Sequence, residues 1–127
     1  MRYDILVIED DEPLGWLLER ILKERFNVTI ATDGLLAMAW LTNGNLPDVI
    51  LCDLDLPNID GLSFLKTLNS SGAFNSIPVI MVTGSINPKA KEDCLAAGAK
   101  GYLEKPFDPP QLIEAINKVL KAKQTLV

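Results

Sequence analysis

The chain has 127 residues, 48% of them hydrophobic, with 17 acidic against 12 basic side chains and a formal charge of −5. That length and apolar content suit one compact domain, and the negative charge opposes direct contact with nucleic acid or anionic lipid, which both favour a positive surface. Histidine is absent, which excludes Ser-His and Cys-His catalytic pairs, a histidine metal site and an internal phosphohistidine donor.

Two cysteines, Cys52 and Cys94, are too few for a disulfide framework and lack the paired spacing of a zinc site, so a reducing cytoplasm is expected. Met1 runs straight into a short apolar segment, and no apolar stretch is long enough to span a bilayer. A single domain over residues 1–127 is expected, without membrane contact.

Along the chain, apolar runs of strand character fall at Asp4 to Ile8, Val28 to Ala31, Val49 to Cys52, Val79 to Val82 and Gly101 to Leu103. Segments of helical period lie between and after them. Leu14, Leu17, Leu18, Ile21 and Leu22 form the first stripe; Ala37, Met38 and Leu41 the second; Leu62, Leu65 and Leu68 the third; Ala90, Cys94 and Leu95 the fourth; Leu112, Ile113, Ile116, Val119 and Leu120 the last. The second helix is apolar almost all round, with Leu35, Leu36 and Trp40 outside its expected core stripe, and Trp16 falls on the outer side of the first. These are either scattered surface apolars or a patch for a partner or a second copy. Asp33-Gly34, Asp60-Gly61 and Ala97-Gly98 read as turns or caps, Asp108 before Pro109 as the N-cap of the last helix, and residues 69–77 as a flexible surface connection. Alternation of five strands and five helices predicts an α/β fold, a doubly wound five-stranded parallel sheet with helices on both faces.

In such sheets function gathers at the carboxyl ends of the strands. Glu9 and Asp10 follow the first strand, Asp53 the third, Thr83 the fourth and Lys105 the fifth. Three carboxylates in one crevice repel, since two unit charges about 4 Å apart cost about 4 kcal/mol at an effective dielectric of about 20. A hard divalent cation such as Mg²⁺ relieves this and leaves room for phosphate oxygens. Acids at strand ends also serve as plain helix caps, a role open to Asp11 and Glu12. Asp53, presented by a rigid strand, suits a nucleophile that forms an aspartyl phosphate, with Lys105 stabilising charge on the transferring oxygens. Lys105 precedes Pro106, a candidate cis-proline turn. Thr83 offers a short hydroxyl beside the small Gly84, and Tyr102 is amphipathic.

The runs ILVIEDDEP, VILCDLDLPNIDG, PVIMVTGS and AAGAKGYLEKPF, in this order, resemble the receiver domain of bacterial response regulators, of flavodoxin-like fold, over nearly the whole chain. The resemblance implies that Asp53 is the phosphoacceptor. It implies too that Asp10 and Asp53 bind Mg²⁺ directly, with Glu9 acting through water and Asp55 through its backbone carbonyl. Thr83 and Lys105 would hold the phosphoryl group, and Tyr102 would be the switch aromatic, turning inward to reshape the face made by the fourth helix, fifth strand and fifth helix. Asp55 and Ser85 flank the acceptor and would set the phosphoryl lifetime. The implied donor is a phosphohistidine on a sensor histidine kinase or a histidine phosphotransfer protein. Because few residues follow Leu120, the output would pass to a downstream effector protein unless the chain is a piece of a longer one, with a homodimer as a further candidate. Such a chain assists its own phosphorylation and is not a turnover enzyme. The sequence has two rival readings. A haloacid-dehalogenase-like phosphatase is suggested by Asp53-Leu54-Asp55, but that family places the acid pair near the start of the chain. A pseudo-receiver would require a missing acceptor, metal acid or lysine, and none is missing.

Overall fold

The computed structural model describes residues 2–84 and 87–125, with side chains through 123. In chain order the elements are β1 (Asp4–Ile8), α1 (Glu12–Leu22), β2 (Asn27–Ala31), α2 (Gly34–Thr42), β3 (Val49–Asp53), α3 (Gly61–Asn69), β4 (Val79–Thr83), α4 (Pro88–Ala96), β5 (Gly101–Glu104) and α5 (Pro109–Thr125). The strands form one parallel sheet in the order β2-β1-β3-β4-β5, so the expected fold class holds. β1 has β2 on one side and β3 on the other, and the crevice between the carboxyl ends of β1 and β3 is the point where the strand order reverses.

Two apolar layers hold the sheet. Leu18 and Leu22 of α1 and Leu112, Ile116, Val119 and Leu120 of α5 pack against Ile5, Val7, Val49, Leu51, Ile80 and Val82. On the opposite face Ala37 and Leu41 of α2, Phe64, Leu65 and Leu68 of α3 and Cys94 of α4 pack against Leu6, Ile8, Ile50, Cys52, Val79 and Met81. Strand residues therefore alternate between the two layers while β3 and β4 are buried throughout, which is why their sequences read as continuous apolar runs.

Short polar side chains start the helices. Asp11, Asp33, Asp60 and Asn87 each accept a backbone N–H of the first turn, from Leu14, Leu36, Ser63 and Lys89 respectively. Asp108 and Gln111 cap reciprocally, each accepting the other's backbone N–H at 2.9 Å, so the expected cap at Asp108 is present as a box.

The differences from expectation are local. β3 and β4 extend one residue further than predicted, so Asp53 and Thr83 are the last residues of their strands. Leu17 and Leu95, placed in core stripes, are exposed, because each lies to one side of the arc its helix turns to the sheet. Phe64 takes the core position of α3 beside Leu65 and Leu68, and Leu62 is only partly buried. Trp40, expected outside the core, packs half-buried against it, whereas Leu35, Leu36 and Trp16 are exposed as expected. The connection over residues 69–77 is a set of hydrogen-bonded turns anchored by Phe74 and Ile77 on the core, since two apolar side chains in it gain by burial. Among the described residues no helix is long and apolar enough to cross a membrane.

Candidate functional site

The carboxyl ends of β1, β3, β4 and β5 bring the predicted residues to one edge. Glu9 continues β1, its backbone N–H donating to the Ala31 carbonyl at 3.0 Å, and this holds its side chain under the crevice, where it is 2% exposed. Asp53 ends β3 at 7% exposure, and Asp10 stands at the exposed rim. One carboxylate oxygen from each of Glu9, Asp10 and Asp53 lies within 4.8 Å of the others. Although a methylene longer than aspartate, Glu9 stays in the cluster.

Lys105 closes the crevice from the β5 side. Its backbone N–H donates to the Thr83 carbonyl at 2.8 Å, and the Lys105–Pro106 bond is cis as expected. Its ammonium donates to Glu9 Oε1 and to Asp53 Oδ2, both at 3.2 Å. The other oxygens are also used. Asp53 Oδ1 accepts the Asp55 N–H at 3.1 Å and Glu9 Oε2 accepts the Asp11 N–H at 3.2 Å.

Electrostatics follow from burial and charge. Burial, and then a hydrogen bond shared with Asp53, push the Glu9 carboxyl up to about 7, against the lowering effects of the Asp11 N–H and of Lys105. Burial pulls the Lys105 ammonium down, but Asp53 and Glu9 outweigh it, leaving Lys105 raised. One lysine thus leaves the three-carboxylate cluster with surplus negative charge. Such a set of hard oxygen donors fits a small divalent cation.

Asp55 is exposed and meets the site through its backbone. Thr83 is fully buried at the end of β4, in register with Glu104. Gly84 is exposed and a Cβ there would meet nothing within 4 Å, so that flank is open. Ser85 lies outside the described residues. Tyr102 pairs in register with Met81 and packs against the α2–α4 layer. Its hydroxyl is buried with no hydrogen-bond partner among the described residues, and burial raises its phenol.

Two features escaped the sequence reading. Lys91 of α4 places its ammonium 5.8 Å from the Tyr102 ring centroid, tying helix to strand, and no spacing signal marks such a contact between separate elements. Asn58, at a positive φ of 68°, donates from Nδ2 to Asp33 Oδ2 at 3.2 Å and joins the loops after β2 and β3. An asparagine in a turn region is the one hint available.

A family model for the response regulator receiver domain matches residues 5–117, and the chain belongs to that family. It is 38% identical over 121 residues to the sensory transduction protein RegX3 of Mycobacterium bovis, an alignment covering 92% of this chain and 50% of that protein. The chain spans only 18% to 57% of the length of the four curated relatives compared. Among solved structures it resembles a CheY-like response regulator receiver domain protein from Methanospirillum hungatei, with a TM-score of 0.92 at 26% identity over 100% of both chains. It also resembles the receiver domain of sensor histidine kinase PA1611 from Pseudomonas aeruginosa, with a TM-score of 0.86 at 28% identity, covering 95% and 99% of the two chains. That relative carries a magnesium ion in its active-site cleft.

Proposed function

We propose that this receiver domain takes a phosphoryl group on Asp53 in a Mg²⁺-dependent step and passes the change to a partner through its surface. The observation that carries this reading is the Lys105 ammonium at 3.2 Å from both Asp53 and Glu9, inside a cluster of three carboxylates at the strand-order reversal. Asp10 and Asp53 would hold Mg²⁺ directly, Asp55 through its backbone carbonyl and Glu9 through water. Bound there, the ion supplies charge neutralisation for carboxylate and phosphoryl oxygens.

The remaining work falls to the chain. An oxygen of Asp53 attacks phosphorus, the P–O bond to Asp53 forms and the bond to the donor breaks. With a phosphohistidine donor, the imidazole nitrogen leaves with the bonding pair and is protonated. Lys105 leaves its carboxylate contact for a phosphoryl oxygen, and the Thr83 hydroxyl donates to another. The phosphoryl group carries about −1.5 to −2 charge in place of the carboxylate's single charge, a net gain of about −0.5 to −1 together with new acceptor oxygens, which draws Thr83 toward it and biases Tyr102, whose buried hydroxyl has little to hold it where it is. A sensor histidine kinase or histidine phosphotransfer protein is the donor that fits, and a downstream effector reads the face of α4, β5 and α5.

Intact mass after incubation with acetyl phosphate, with and without Mg²⁺, tests the proposal on the wild type and on Asp53→Asn. One added phosphoryl group that needs both Mg²⁺ and Asp53 supports it. Failure to add a group, together with failure to bind beryllofluoride, overturns it, and so does steady turnover of phosphate esters.

A further inference from the structure

The two edges of the sheet differ. β5 carries Glu104, is flanked by Lys100 and Lys105, and has Lys91 over its Tyr102. These are the charges with which proteins discourage strand addition. β2 has none. Between Arg25 and Asp48 the only charged residue is Asp33, in a chain with 23% charged residues. Asp33 is itself engaged by the Leu36 N–H and by Asn58.

The β2 backbone is available in a definite pattern. Asn27 donates its N–H to the Tyr3 carbonyl and Ala31 accepts the Glu9 N–H, so residues 27, 29 and 31 face β1. By alternation the N–H and C=O groups of Val28 and Ile30 point away from the sheet, and no backbone bond among the described residues takes them up. Beside this edge, on the α2 face, Trp40 and Leu46 share a 300 Å³ cavity with Asn27, Thr29 and Asp4 of β1, whose carboxylate is held by the Asn27 side-chain amide at 2.9 Å. Leu36, one turn before Trp40 on α2, is 54% exposed, and Leu46 is exposed as well.

We infer that this edge is an interface with a second copy of the chain, formed by antiparallel pairing of β2 with β2. Placing Thr29 on a two-fold axis perpendicular to the sheet sets Val28 opposite Ile30 of the second copy. Their outward N–H and C=O groups then form two doubly bonded pairs. The same axis keeps the two α2 helices on one side of the joined sheet, so Leu36, Trp40 and Leu46 face their own counterparts. Self-pairing brings every side chain toward its own copy and would bring like charges together, so it favours the uncharged edge and disfavours β5. With one such edge per chain, the assembly closes at two copies.

Sedimentation velocity of the full chain without phosphodonor, from micromolar to millimolar concentration, tests this alongside hydrogen exchange at Val28 and Ile30. A dimer is expected whose dissociation constant rises about tenfold or more in Leu36→Lys, with those two amides protected as concentration increases. Leu95→Lys, an exposed position on α4, serves as control and leaves the dimer unchanged. A chain that stays monomeric leaves β2 to a strand of some other protein and overturns self-pairing. Species larger than two, or a dimer indifferent to Leu36→Lys, overturn it as well.

Discussion

Glu9 gives the site a measurable pH signature. Its carboxyl, 2% exposed, is raised from 4.5 to about 7, chiefly by burial. The folded chain therefore keeps this proton over a range in which the unfolded chain has released it. The stability linked to Glu9 is complete below about pH 4.5, falls as pH rises, and is lost above about pH 7, a difference of about 3 kcal/mol. Lys105 is raised as well, so its contribution is likewise lost as pH rises, but only above its ordinary range, beyond this window. Glutamine at position 9 resembles the protonated acid, with a carbonyl acceptor for the Asp11 N–H and an amide donor toward Asp53, but its amide cannot accept the Lys105 ammonium as Oε1 does, at a cost of about 1 kcal/mol. In EDTA, Glu9→Gln is thus about 1 kcal/mol below the wild type near about pH 4.5 and about 2 kcal/mol more stable near about pH 8. Urea denaturation followed by far-UV circular dichroism measures this difference. A stability difference that stays constant across the range refutes the assignment of the buried proton to Glu9.

Further expectations concern single positions. Lys105→Met slows phosphorylation from acetyl phosphate about hundredfold in an intact-mass time course, because the ammonium acts on charge that develops in the transfer. It also tightens Mg²⁺ binding by removing a competing cation, as titration calorimetry reads. Gly61→Ala destabilises by about 2 kcal/mol or more in urea melts, because a Cβ there runs into the Asp53 carbonyl and stands 2.7 Å from Leu54 Cα, both backbone. Tyr102→Phe raises stability by about 1 kcal/mol in the same melts, since it removes a buried hydroxyl without a partner.

The strands were legible because buried parallel strands leave unbroken apolar runs, as in Val49-Ile50-Leu51-Cys52. Their ends in turn located Glu9, Asp10, Asp53, Thr83 and Lys105. What was hidden depends on neighbours remote in sequence. Leu17 has the period of a core residue, but its side of α1 opens on the groove shared with Arg20, Pro110 and Ile113. Trp40 lacks that period, yet a large ring reaches the core from a flanking position. The geometry of Lys105 also exceeds what sequence specifies. Strand order places it between Glu9 and Asp53, residues 96 and 52 positions away, and no local pattern encodes a bridge to both.

Burial also separates the working edge from the rest of the protein. Among the described residues the buried polar or charged side chains are Glu9, Asp53 and Thr83, and each stands at the carboxyl end of a strand. A fold selected for stability alone has little reason to bury two carboxylates together, because each loses hydration and they repel. Lys105 offsets part of that cost and leaves surplus negative charge. Whatever binds the crevice with positive charge, or converts the Asp53 carboxylate into a mixed anhydride with another acid, acts on this unbalanced set directly. Small changes there have a path outward, since the Lys105 backbone is bonded to Thr83, and Tyr102 of β5, the strand that leads into Lys105, lies beneath Lys91 of α4. A cluster costly to fold and joined by a few contacts to one helix and one edge strand is suited to be a switch, and its cost is the driving force available to it.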